Sequence, residues 1–107
     1  MQRKSTVLIT GASSGIGFEL AKLFAGAGFD LILVARNQIK LENAATELRK
    51  ENKISVTVVP MDLAQTQSSQ ELYKYTKENN LQIEILVNNA GYVINGLFLE
   101  SNKAEQL

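Results

Sequence analysis

The chain has 107 residues, 45% hydrophobic and 21% charged, with eleven basic residues balancing eleven acidic ones. That is the composition of one ordinary globular domain at most. No Lys/Arg cluster is longer than Arg3-Lys4 or Arg49-Lys50, so the electrostatic footprint of a nucleic-acid or anionic-membrane partner is missing. With no cysteine and no histidine, a disulfide framework and a thiolate or imidazole metal site are both excluded, and no metal is expected.

Met1-Gln2-Arg3-Lys4 is basic like the start of a secretory leader, but the apolar run behind it, Val7 to Ile9, is too short for the core of one. No other stretch is long and apolar enough to span a bilayer. The cytoplasm is the expected location, and the absence of cysteine fits a reducing compartment.

Apolar runs then alternate with helical periods along the chain, the pattern of βαβ units. Ser5 to Thr10 reads as a buried strand. A Gly/Ser turn follows it, then a helix with Ile16, Leu20, Leu23, Phe24 and Ala27 at helical spacing. Gly28 ends that helix. Leu31 to Ala35 is continuously apolar, as a strand covered on both faces must be. A second helix is predicted over Gln38 to Glu51, with Leu41, Ala44, Ala45 and Leu48 on its inner stripe and Lys40, Glu47 and Lys50 facing water. Val56 to Val59 is the third strand, Ser68 to Asn79 the third helix, Ile83 to Val87 the fourth strand, and a last helical stretch begins near Leu97.

Four strands joined by right-handed crossovers give the order 3-2-1-4 of a doubly wound, Rossmann-type parallel sheet with helices on both faces, of α/β class. On this reading residues 1–107 form a single half-domain. The fourth strand becomes an edge with only Glu84 as a charge, open to pairing with another chain unless something covers it.

Thr10-Gly11-Ala12-Ser13-Ser14-Gly15-Ile16-Gly17 sits at the first strand-to-helix turn, where backbone N–H groups and the helix dipole can hold a pyrophosphate. Gly11 permits the exit from the strand, Gly15 the approach of phosphate to backbone, and Gly17 close packing of helix on strand. The bland alternative is a tight turn and nothing more. Phe18 and Glu19 follow where a P-loop needs Lys and Ser/Thr, which argues against ATP hydrolysis.

Together with Asn88-Asn89-Ala90-Gly91 after the fourth strand, this turn resembles the paired signature of the short-chain dehydrogenase/reductase family, over essentially the whole chain but only the first part of a family member. The resemblance implies that Gly11, Ser13, Ser14, Gly15, Ile16 and Gly17 contact the adenine-side ribose and the pyrophosphate of a nicotinamide dinucleotide. It implies that Asp62 and Leu63 bracket the adenine, and that Asn88, Ala90 and Gly91 stabilise the sheet and line the adenosine side. Asp62 can equally serve as a turn or capping carboxylate, and the two roles are compatible.

NAD(H)-binding units place a carboxylate at the end of the second strand to accept from the ribose 2′-hydroxyl. This chain has Ala35-Arg36-Asn37 there. A carboxylate would repel a 2′-phosphate, whereas Arg36 can pair with one through its planar fork, which points to NADP(H) rather than NAD(H). A solvated surface arginine is the alternative. Some NADP(H)-dependent members also carry a basic residue just before the second glycine, and here that residue is Ser14.

The family's catalytic Tyr-x-x-x-Lys pair lies well after the Asn-Asn-Ala-Gly motif. Tyr73 and Lys77 match its letters but precede that motif, on the third helix, and read as a half-buried tyrosine and a solvated lysine. No catalytic residue is therefore assigned within 1–107, and the chain is expected to stop before the catalytic region. The implied parent activity is hydride transfer between NADP(H) and a small-molecule carbonyl or alcohol substrate, in a homo-oligomer. A dinucleotide-binding module without activity and a purely structural fragment are the competing readings.

Overall fold

The computed structural model describes residues 5–65, 67–89 and 105–106. Successive residues of a strand leave opposite faces of its sheet, and here both faces find a core. Val7 and Ile9 of β1 (Thr6–Thr10), Leu31, Leu33 and Ala35 of β2 (Asp30–Ala35), Val56 of β3 (Val56–Pro60) and Val87 of β4 (Ile85–Val87) join one cluster. Their neighbours Leu8, Ile32, Val34, Val59 and Leu86 join the other. Helices α1 (Gly15–Gly26) and α2 (Gln38–Glu51) supply Ala21, Ala25, Leu41, Ala45 and Leu48 to the first cluster, and α3 (Ser68–Glu78) supplies Leu72 to the second. Continuous apolar strands are the direct consequence of this two-sided cover.

All strand pairs are parallel, and the order is β3-β2-β1-β4-β5, with β5 (Glu105–Gln106) beside β4. The expected Rossmann-type order 3-2-1-4 is present. A fifth strand that the sequence does not signal partly covers the β4 edge, through backbone pairing of Ile85 with Glu105 and Leu86 with Gln106. Strand β4 is also shorter than predicted. Ile83 is buried just ahead of it, and the Glu84 N–H donates to the Thr6 carbonyl at 2.9 Å. The helical stretch expected from Leu97 lies outside the described residues. Among the described residues no helix is long and apolar enough to cross a membrane.

Helix α2 forms over the predicted residues because local and tertiary signals agree. The Asn37 side chain caps its start by accepting from the Lys40 N–H at 3.0 Å, its apolar stripe is buried, and Arg49 and Lys50 sit in the last turn, where cations complement the dipole. Helix α1 departs from its predicted stripe. Gly17, Ala21 and Ala25, four residues apart, are the buried face, while Ile16 is 72% and Leu23 71% exposed and Ala27 faces solvent. The helix lies so close to β1 that only small side chains fit between them; Leu20 and Phe24 pack at the flanks.

The end of α1 is a Schellman motif. Ala27 is the C-cap, Gly28 follows at φ +92°, the Gly28 N–H donates to Ala25 O at 3.0 Å and the Phe29 N–H to Phe24 O at 3.1 Å. The accompanying apolar contact is the edge-to-face pair Phe24–Phe29, with centroids 5.5 Å apart. Replacing Gly28 by Ala is expected to destabilise the fold by about 1–2 kcal/mol through the left-handed backbone alone, since a Cβ there meets no atom within 4 Å. Gly26→Ala, also unobstructed but with ordinary backbone, is expected to stabilise by about 0.4–1 kcal/mol. Urea unfolding of the two variants checks this: equal effects would contradict the assignment.

Candidate functional site

The outgoing ends of β1, β2 and β3 gather on one side of the sheet, at the point where the strand order reverses between β1 and β4. In open α/β sheets this is where ligands bind. Gly11, at φ +63°, turns the chain out of β1, and the Ala12 N–H reaches the Val34 carbonyl at 3.4 Å. Ser14 is the extended N-cap of α1, yet its side chain makes no capping bond, and no acidic residue stands in the first turn. The positive end of the helix dipole is thus left without side-chain compensation. Gly15 follows at φ +61°, a backbone conformation that favours glycine although a Cβ would meet nothing within 4 Å.

Gly17 is required for a different reason. A Cβ on it would fall on the Gly11 carbonyl oxygen and 2.7 Å from Asn89 Nδ2. The same carbonyl accepts from Asn89 Nδ2 at 3.3 Å, and Thr10 Oγ1 donates at 3.4 Å to Asn88 Oδ1 and to the Val87 carbonyl. The exit of β4 is therefore wired to the turn after β1.

A cleft of about 550 Å³ opens beside this turn, within the usual range of small-molecule sites. Gly11, Ser13 and Ser14 line it from the turn, Arg36, Asn37 and Lys40 from the start of α2, and Met61, Asp62 and Leu63 from the segment after β3. The predicted residues Gly11, Ser13, Ser14, Arg36, Asp62 and Leu63 are thus brought together. Gly15, Ile16 and Gly17 form the adjoining first turn of α1, and Asn88 lies behind the turn against Thr10. Ala90 and Gly91 lie outside the described residues.

Asp62 is a turn carboxylate: its Oδ1 accepts from the Ala64 N–H at 2.9 Å, while its carbonyl accepts from Ser68 Oγ at 2.5 Å. That is the local role the sequence allowed, and it leaves the residue on the cleft wall. Sequence reasoning missed Asn37, Lys40 and Asn89. The signal for the first two was the cap itself, since an Asn N-cap directly after Arg36 places the first turn of α2 at the mouth of the cleft. Tyr73 and Lys77 lie on α3, Tyr73 half-buried against the second cluster with the Lys77 ammonium 5.9 Å from its ring centroid. Neither lines the cleft. Among the described residues no group of three or more acidic, histidine or cysteine side chains is placed to hold a metal.

The contact between Gly17 and Gly11 predicts a sharp intolerance. Gly17→Ala is expected to cost roughly 2–3 kcal/mol, because a backbone carbonyl rather than a flexible side chain must move. A melting temperature unchanged from wild type would show that α1 does not approach β1 in this way.

Residues 5–106 match the family model described as short chain dehydrogenase. A short-chain dehydrogenase of Penicillium roqueforti is 39% identical over 89 residues, covering 82% of this chain and 35% of its own length. Among solved structures, a short-chain dehydrogenase from Sphingobium yanoikuyae in complex with NADPH is 44% identical, with a TM-score of 0.73 over 81% of this chain and 34% of that one. L-sorbose reductase from Gluconobacter frateurii, complexed with NADPH and L-sorbose, is 35% identical, with a TM-score of 0.77 over 86% and 35%. The chain spans about a third of the length of these relatives. Its glycine turn, strand order and sequence together make it a member of the short-chain dehydrogenase family, corresponding to that family's N-terminal portion.

Proposed function

We propose that this chain binds NADP(H) and belongs to an oxidoreductase that moves hydride between the nicotinamide and a small carbonyl or alcohol substrate. The observation that carries the cofactor choice is Arg36. It enters the cleft at the end of β2, where selection of NAD(H) calls for a carboxylate, and Ala35-Arg36-Asn37 supplies none. The two structural relatives named above are both complexes with NADPH.

The donor chemistry of the site suits such a ligand. The first-turn amides of α1 and the hydroxyls of Ser13 and Ser14 suit a pyrophosphate. The guanidinium of Arg36 suits a 2′-phosphate, and its flat face suits an adenine ring. Bound there, the dinucleotide supplies the hydride; the residues of this chain bind and orient it. The segment Asp62-Leu63 would close the adenine side. No residue of the cleft is assigned proton transfer, and Tyr73, packed away on α3, is not a candidate.

Replacing Ala35 by Asp and Arg36 by Ile together is expected to move the NADPH to NADH preference by about 2–4 kcal/mol, through loss of a charge-assisted pair and gain of a like-charge contact. Dissociation constants for both cofactors check it. A ratio that stays at the wild-type value would remove the basis for assigning NADP(H).

A further inference from the structure

Arg36 and Lys40 stand four positions apart where β2 passes into α2, and both line the cleft opposite Ser13 and Ser14. A second, shallower cleft of about 390 Å³ runs between α1 and α2, lined by Ser13, Ser14 and Lys40 together with Phe18, Asn43 and Glu47. Lys40 therefore stands where the two clefts meet, facing the glycine turn. Among the described residues neither Arg36 nor Lys40 engages its side-chain cation in an ion pair or hydrogen bond.

The placement of Lys40 runs against local preference. It is the third residue of α2, in a first turn that contains no acidic residue, while Arg49 and Lys50 occupy the last turn. A cation in the first turn opposes the helix dipole. Local rules are broken in this way chiefly at sites with a function. An anion held between Lys40, Arg36 and the serines would turn that repulsion into attraction. The charge count agrees: a phosphomonoester carries about −1.5 to −2 at neutral pH, and one guanidinium neutralises only part of it.

We propose that Lys40 is a specificity-determining residue, a second cation that α2 directs at the 2′-phosphate of the dinucleotide from the side of the glycine turn. This deepens the NADP(H) reading above and rests on it. Asp62 is the one carboxylate lining the main cleft, and it is engaged with the Ala64 N–H. Glu47, in the adjoining cleft, is the acidic group on the helix face that Lys40 shares.

The test is calorimetric titration of the protein with ADP-ribose and with its 2′-phosphate, two probes that differ by that one group and need no turnover. Lys40→Gln is expected to weaken the 2′-phosphorylated probe about tenfold, as befits one charge-assisted contact, and to leave ADP-ribose within about twofold. Lys40→Arg is expected to keep most of the discrimination. Should Lys40→Gln bind both probes as wild type does while Arg36→Gln loses the 2′-phosphorylated one, the role of Lys40 is refuted and the cofactor reading stands. An equal loss for both probes in Lys40→Gln would likewise refute it, marking the residue as structural. Wild-type protein that does not distinguish the probes would defeat the NADP(H) reading itself.

Discussion

The position of α1 depends on a contact in which one atom is missing. Because Gly17 has no Cβ, the helix lies against the Gly11 carbonyl, and the Asn89 amide holds that carbonyl from the other side. Any larger residue would push the helix off β1. The buried face of α1 then has to be Gly17, Ala21 and Ala25, because nothing wider fits, and the first turn is left beside the exits of β1 and β2. The geometry of the end of α1 that faces the cleft is thus set by packing, not by the polar residues that line it.

Two helix starts converge on the cleft, and they differ in how they are finished. Helix α1 begins with Ser14, whose side chain makes no capping bond, whereas α2 begins with Asn37, whose side-chain Oδ1 accepts the Lys40 N–H. The first start keeps its donors available. The second spends one on its own cap and offers side-chain cations instead. A dinucleotide with a pyrophosphate in the middle and a phosphate on its ribose needs both kinds of anion site, set apart as the ends of β1 and β2 are.

Much of this was legible in the sequence where local preference and tertiary demand agree. Leu31 to Ala35 could only be an interior strand. In α2 the stripe of Leu41, Ala44, Ala45 and Leu48 and the basic last turn describe the same helix from two directions. The stripe of α1 is only partly legible, because Gly17, Ala21 and Ala25 carry almost no hydropathic signal, while Ile16 and Leu23, at the same spacing as the packed Leu20 and Phe24, face outward. Glu105 and Gln106, both polar, offer no apolar run to mark the strand that pairs in parallel with β4. Lys40 is exposed, as its helical period predicts. Only the placement of Ser13 and Ser14 across the cleft, a tertiary fact, gives it a partner surface.

The glycine turn, the start of α2 and the segment after β3 line one cleft, proposed above as the dinucleotide site. The most direct test of that proposal is an amide chemical-shift titration of the isotopically labelled protein with NADPH. Saturable shifts are expected at Gly11 to Gly17, at Arg36 to Lys40 and at Asp62 and Leu63, with the amides of Tyr73 to Lys77 on α3 little changed. Shifts centred on α3, or none at the glycine turn at saturating NADPH, would contradict it.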